Sequence, residues 1–254
     1  MKRLPLFLYG VACYAVFFAV FLYAIGFIGD LWVAKSMDSP RDVSLTTALL
    51  VDLGLLGLFA VQHSVMARPA FKRWWTRFVP ASAERSTYVL FSSAALILLF
   101  WFWQPMGGSI WSITSPAGET TMYVVYAAGW ALLLYSTFLI DHFDLFGLRQ
   151  VWLHLRGKPY TATSFRTPWL YRQVRHPLYV GWLMIFWATP IMTATHLLFA
   201  VMTTAYILVA IQLEERDLVD AHPEYRDYRR QVPMLIPSLK RAARGARPIA
   251  SRTA

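Results

Sequence analysis

Five places along the chain set ionisable groups in or against apolar sequence: Asp52, Gln62-His63-Ser64, Asp141-His142-Phe143-Asp144, Arg175-His176 and Glu214-Glu215-Arg216-Asp217. Groups of this kind are costly to keep out of water, so they are the first places to look for function. Asp141, His142 and Asp144 bring two acids and an imidazole together, an arrangement suited to taking up a proton or to orienting an imidazole that does so. His176 is a competing imidazole, and Arg149 supplies a positive charge shortly after the acidic pair. Asp52 reads most simply as a hydrogen-bond partner between helices. Glu214 and Glu215, taken alone, read as a hydrated helix end. Metal chemistry is not expected: the histidines at 63, 142, 154, 176, 196 and 222 form no His-x-x-x-His or His-Glu-x-x-His pattern, and Cys13 is the single cysteine. Cys13 therefore forms no internal disulfide. A glycine-rich nucleotide loop is also absent.

The elements that must position these groups are membrane spans. Hydrophobic residues make up 57% of the 254 residues and charged ones only 15%, with a mean hydropathy of +0.43, more apolar surface than one soluble core hides. Lys, Arg, Asp and Glu are missing from residues 4–29, 86–118, 120–140 and 177–213. The first of these runs would make a helix of about 39 Å at 1.5 Å per residue, enough to cross a hydrocarbon core of roughly 30 Å with tilt. Spans are expected at about 4–28, 45–66, 88–106, 122–140, 178–193 and 197–213. The last two are short and form a tight hairpin turning at 194–196, so five complete crossings remain compatible with the pattern.

The net charge of +10 does not point to nucleic acid, because the basic residues alternate with the spans. Of 24 Lys and Arg, 22 fall on one side and 2 on the other, the positive-inside arrangement with both termini cytoplasmic. Trp74 and Trp75, and Trp101, Trp103 and Trp111, suit interfacial belts. The stretch 145–155, with Arg149 its sole charged residue, is expected to lie along the interface as an imperfect amphipathic helix, ended by Gly157-Lys158-Pro159. One cytoplasmic, interface-level site could gather all the clusters except Asp52.

In order along residues 170–237 the chain reads Arg175-His176-Pro177-Leu178-Tyr179-Val180-Gly181, Glu214-Glu215-Arg216-Asp217-Leu218, and Tyr225-Arg226-Asp227-Tyr228-Arg229-Arg230-Gln231-Val232-Pro233. This succession resembles the isoprenylcysteine carboxyl methyltransferase family of integral membrane enzymes. The family's usual Phe-Gly ahead of the first of these tyrosines is replaced here by Ala221-His222-Pro223. Further upstream, Gln62-His63-Ser64-Val65-Met66-Ala67-Arg68-Pro69 and the run from Asp141 to Gln150 look like the bacterial methanethiol S-methyltransferases, which make dimethyl sulfide. The His-Ser element is shared with NnrU-like membrane proteins and so does not settle the substrate.

The resemblance implies an all-α integral membrane bundle of about six helices, five being possible, with both termini in the cytoplasm. It divides one methyltransferase domain into four N-terminal spans (1–140), an interfacial segment (141–177), a hairpin (178–213), a cytoplasmic cofactor-binding segment (214–239) and a disordered basic tail (240–254) that can touch anionic lipid. It implies S-adenosylmethionine as methyl donor and Arg175, His176, Pro177, Tyr179, Gly181, Glu214, Glu215, Tyr225 and Tyr228 as its binding residues. A sulfonium favours aromatic faces and carboxylates, its ribose a carboxylate acceptor, and its carboxylate tail a cation or backbone N–H groups. The implied acceptor is a small thiol, at a bacterial inner membrane with the active site facing the cytoplasm. A thiol must lose its proton to react, and Asp141, His142 and His176 are the candidate bases, with His63, Asp144 and Arg149 around the substrate. Methylation of a lipid, prenylcysteine or quinone headgroup is the alternative, as is a non-catalytic protein of the same fold.

Overall fold

The computed structural model describes residues 3–163 and 165–237; the basic tail expected at 240–254 lies outside them. Among the described residues five helices are long and apolar enough to cross a membrane: α1 (Arg3–Gly29), α2 (Leu45–Ala67), α4 (Ala81–Phe102), α5 (Pro116–Ile140) and α9 (Ala194–Ala221). Their starts follow local chemistry. Ser44 accepts a hydrogen bond from the Thr47 N–H at 3.2 Å and caps α2. Ser115 does the same for Gly118 at 3.3 Å, just ahead of Pro116 at the start of α5. Between the spans lie short helices α3 (Pro69–Trp75), α6 (His142–Leu145), α7 (Leu148–Leu155) and α10 (Tyr225–Gln231), and a small antiparallel pair of strands, β1 (Ser109–Ser112) with β2 (Ile191–Thr193).

The hairpin expected over 178–213 is lopsided. Its first arm, α8 (Pro177–Trp187), has 11 residues, about 17 Å at 1.5 Å each, and does not cross. Its second arm, α9, has 28 residues and continues unbroken past Leu213 to Ala221. Neither Gly nor Pro occurs between Ala194 and His222 to stop it, so Glu214 and Glu215 ride on the span itself. The turn falls at 188–193, where Thr193 Oγ1 caps α9 by accepting from His196 N at 3.0 Å. Among the tryptophans expected in belts, Trp101 is open to the surroundings, whereas Trp103 is fully buried against Phe27 and Phe199.

The helix α8 is held by α5 at a glycine pair. A Cβ on Gly181 would meet Gly129 O and Leu133 N at 2.9 Å, and a Cβ on Gly129 would meet Gly181 O at 3.0 Å. Only glycine at both places lets the two backbones come this close. The helix α1 packs on α4 and α7, and α2 on α4. At the end where α1 starts, cross-links join the helices: Tyr9 to Thr87, Tyr14 to His142, Arg85 to Leu145 O and Arg68 to Asp217. At the opposite end Asp38 accepts from Thr193, and the buried Asp52 accepts from Gln104 N at 2.9 Å. Asp52 thus stitches the end of α4 to α2, well away from the other clusters.

Candidate active site

Glu215 is the node of the C-terminal cluster. Its carboxylate is 3% exposed, and Oε1 accepts from Arg175 Nε at 2.6 Å and Tyr225 Oη at 3.3 Å, with His176 Nε2 at 3.0 Å. Arg229 Nη1 stands 3.8 Å from the other oxygen. Arg175 Nη1 donates in addition to Val232 O at 2.6 Å and Arg229 O at 3.0 Å. Backbone bonds from Arg175 N to Pro233 O and from His176 N to Met234 O bind the segment after α10 alongside the start of α8. Removing one partner from a buried, hydrogen-bonded charge pair typically costs about 3–5 kcal/mol, so this node fixes α8, α9 and α10 relative to one another. Burial, with the neighbouring Glu215 charge, pushes the Tyr225 phenol above its usual range, so it stays a donor. Tyr228 is buried on the same short helix and donates to Tyr171 O.

One residue earlier the environment changes. Glu214 is half-buried and its Oε2 accepts from Tyr179 Oη at 3.0 Å. Tyr179 sits one helical turn or less beyond Pro177, which supplies the N-terminal position of α8 where no N–H is needed. Tyr88 Oη is 2.9 Å from His63 Nε2, whose Nδ1 is 3.2 Å from Ser92 Oγ, and Ser64 Oγ is 3.1 Å from Tyr206 Oη. His63 is thereby tied to the hydroxyls of Tyr88 and Ser92.

The Asp141 cluster forms a second centre. Asp141 has φ 144° and ends α5, and its Oδ1 caps α6 by accepting from Asp144 N at 3.0 Å. Thr137 Oγ1 donates to Leu134 O at 2.6 Å and so accepts from His142 Nδ1 at 2.8 Å. That leaves His142 Nε2 as the acceptor for Tyr14 Oη, also at 2.8 Å. Burial pushes the imidazole below its ordinary value, with Asp141 opposing, so the ring is neutral near pH 7. The group orienting His142 is Thr137, while Asp141 turns to the backbone. Asp144 accepts from Arg149 Nη1 at 2.8 Å and Tyr160 Oη at 3.2 Å, and Arg149 donates further to Thr161 O at 2.9 Å. These bonds strap the interfacial segment over α6 and α7. Gly147, at φ 89°, caps α7, so the amphipathic helix expected over 145–155 begins at Leu148, just after α6 has ended at Leu145.

The two centres meet through aromatic rings. Phe146 lies 4.8 Å from His142 and stacks on Phe17 at 3.9 Å, and Phe17 and Phe146 both pack against the cluster formed by Met66, Tyr88 and Val89. Every described residue that the sequence reading assigns to the site lies at this end of the bundle, and Asp52 lies at the other. The sequence alone does not point to Tyr14, Tyr88, Thr137 and Tyr206. Inside apolar spans they read as ordinary core residues, and only their spacing from His63 and His142 across helices reveals them. Among the described residues no group of three His, Cys, Asp or Glu is placed to hold a metal.

Comparison with known proteins closes the gap between this geometry and a chemistry. The chain is 60% identical to a methanethiol S-methyltransferase of Crocosphaera subtropica over 93% of each chain. It is 57% identical to one of Mycobacterium tuberculosis over 93% of this chain and 98% of that one. The chain belongs to the methanethiol S-methyltransferase family. Bovine nurim is a more distant relative, 33% identical over 74% of this chain and 72% of that protein. No family model and no solved structure matches the chain. A methanethiol S-methyltransferase-family fold is thus an all-α membrane bundle here, and membership makes the chain a methyltransferase, which needs a methyl donor and an acceptor brought into line.

Proposed function

We propose that the chain transfers a methyl group from S-adenosylmethionine to methanethiol, producing dimethyl sulfide. The observation that carries this reading is 49–60% identity over most of the chain to proteins named methanethiol S-methyltransferase. The donor chemistry suits the residues present. Tyr179 and the half-buried Glu214 offer a sulfonium an aromatic face and a carboxylate, and Glu214 has acceptor capacity left for a ribose diol. Glu215, Arg175, His176, Tyr225 and Tyr228 act as the frame, since their polar atoms already bind one another or the neighbouring backbone. With Arg175 so engaged, the donor's carboxylate tail falls to the N–H groups of the first turn of α8 behind Pro177. Gly181 serves by letting α8 seat against α5.

When bound, the donor supplies an electrophilic methyl group on a positively charged sulfur. The thiol sulfur forms its bond to that carbon as the carbon's bond to the donor sulfur breaks, leaving S-adenosylhomocysteine, and the thiol proton passes to a base. We assign that role to the neutral His142, acting through Nε2 and the Tyr14 hydroxyl, with Asp141 shaping the turn that carries it. His63, in its hydroxyl chain, lines the acceptor side; His176 faces Glu215 and serves the frame. Arg149 and Asp144 position the interfacial segment. The 22 Lys and Arg that the sequence distributes to the segments on one side of the spans support a cytoplasmic site at an inner membrane. Purified protein given S-adenosylmethionine and methanethiol should release dimethyl sulfide into the headspace; no product from folded, donor-binding protein would refute the reading.

A further inference from the structure

Near the start of α4, Arg85 Nε donates to Leu145 O at 2.8 Å and Ser86 Oγ donates to Gly147 O at 3.2 Å. Leu145 is the last residue of α6, the short helix that begins at His142. The guanidinium carbon of Arg85 stands 5.1 Å from the centre of the Tyr88 ring, and the Tyr88 hydroxyl is 2.9 Å from His63 Nε2. One cation therefore touches both the turn that carries His142 and the His63–Tyr88 pair. Its charge is also unneutralised. Arg149, the cation that the sequence places around the substrate, faces Asp144 at 2.8 Å and Asp141 at 4.0 Å, and Arg68 and Arg175 are paired with Asp217 and Glu215. Arg85 is half-buried, and among the described residues no carboxylate pairs with it, its neighbour Glu84 included, and neither of its terminal nitrogens donates a hydrogen bond. Lys72 on α3 adds to the positive field, its ammonium held below the usual lysine range by burial and by the charge of Arg85.

We propose that Arg85 is the cation that holds the acceptor's sulfur as a thiolate, its terminal N–H groups facing the sulfur while Leu145 O and the Tyr88 ring fix the plane of the guanidinium. The inference rests on reading the chain as a thiol methyltransferase. An opposite charge at close range typically shifts an ionisation by about one to three pH units toward the charged form. The gain in thiolate at a given pH exceeds the fall in its nucleophilicity, which follows only about 0.4–0.5 of the same logarithmic step. The thiol's S–H bond breaks, its proton passes to the base, and the electron pair left on sulfur forms the new S–C bond as the donor's S–C bond breaks. A guanidinium suits this task because it stays charged throughout the working pH range and so does not compete for the proton.

The test is the pH profile of single-turnover methyl transfer to methanethiol by the whole protein in lipid nanodiscs, with dimethyl sulfide read in the headspace. Arg85→Gln keeps an N–H for Leu145 O and removes the charge. It should slow transfer near neutral pH about tenfold or more and move the alkaline rise of the profile up by at least about one pH unit, with S-adenosylhomocysteine affinity within about twofold of the parent's. Arg85→Met, uncharged and apolar, repeats the measurement in a second background. Arg85→Lys keeps the charge and should restore most of the neutral rate. Ser86→Ala loosens the same turn at Gly147 without touching a charge, and its rise should stay where the parent's is. Calorimetry with S-adenosylhomocysteine and a thermal melt establish that each variant is folded. A rate lowered evenly across pH in Arg85→Gln, or a rise displaced as far by Ser86→Ala, gives Arg85 to the turn alone and overturns the proposal. Weaker S-adenosylhomocysteine binding with an unmoved rise gives Arg85 to the donor's carboxylate and overturns it as well. If the folded parent protein binds S-adenosylhomocysteine but methylates no thiol, the functional reading fails and this assignment with it. An active parent beside an Arg85→Gln variant of unchanged profile contradicts this assignment alone.

Discussion

Glu214 and Glu215 are adjacent on α9 and face different surroundings: Glu214 is half-buried with the single phenol of Tyr179 on its Oε2, while Glu215 is 3% exposed and ringed by Arg175, His176 and Tyr225. Successive residues on a helix point about 100° apart, which puts one carboxylate into the inter-helix frame and turns the other toward Tyr179 and a less buried setting. Glu214→Gln should therefore weaken S-adenosylhomocysteine binding about tenfold to a hundredfold, the cost of one charge-assisted hydrogen bond, while leaving the melting temperature nearly unchanged. Glu215→Gln should lower the melting temperature markedly, because it leaves Arg175 buried without its counter-ion. Calorimetry and thermal melts of the two variants separate these roles; equal melting temperatures would remove Glu215 from the frame.

Gly181 should tolerate no side chain. A Cβ at this position would lie only 2.9 Å from Gly129 O and Leu133 N, both backbone atoms that cannot swing aside. Gly181→Ala should push α8 off α5, lowering the melting temperature and donor affinity together. A variant that keeps both would contradict the close packing of these helices.

Asp141 holds a positive φ of 144° and also caps α6. A non-glycine residue in such a conformation carries on the order of 1–3 kcal/mol of strain, and loss of a side-chain cap typically costs about 1 kcal/mol. Asp141→Ala loses the cap and keeps the strain, so it should be the least stable replacement. Asp141→Asn keeps the cap, and Asp141→Gly exchanges the cap for relief of strain. Chemical denaturation of the three variants should rank Ala below both Asn and Gly, and a higher stability for Ala would contradict the capping role.

The pH dependence follows from His142, whose folded imidazole sits below its unfolded value of about 6.5. In acid the unfolded chain takes up this proton more readily than the folded one, so stability rises with pH across that window. The stabilisation is fully present above about pH 6.5 and is lost as the pH falls toward the lower folded value. Replacing His142 with Gln should flatten this part of the melting-temperature profile and reduce turnover without altering donor affinity. Donor binding that collapses along with turnover would move His142 into the donor pocket.

The bundle is largely legible in the sequence because uncharged runs and alternating basic loops record where the chain meets lipid and water. The gathering of Arg175-His176 and Glu214-Glu215 at one membrane surface is legible too, whereas the pairing of Arg175 and His176 with Glu215, where the sequence suggests contacts to a donor, is not. What escapes the sequence depends on packing between helices. Nothing local distinguishes Glu214 from Glu215, and hydropathy does not tell α8, which stops after Trp187, from a full crossing. Tyr14, Thr137, Tyr88 and Tyr206 take on meaning only when α1, α5, α4 and α9 bring their hydroxyls to His142, His63 and Ser64. Trp103 reads as a belt residue and is in fact buried, because position along a span does not say which face of the helix is covered.

Isotopic labelling of the methyl group separates direct transfer from every other source of product. Purified protein in lipid nanodiscs, supplied with methanethiol and S-adenosylmethionine carrying a trideuterated methyl group, should release trideuterated dimethyl sulfide into the headspace in equal amount with S-adenosylhomocysteine in solution. Glu214→Gln, at the same protein concentration and limiting donor, should lower both products together. Unlabelled dimethyl sulfide, or S-adenosylhomocysteine without the labelled sulfide, would contradict direct transfer from this donor to this thiol.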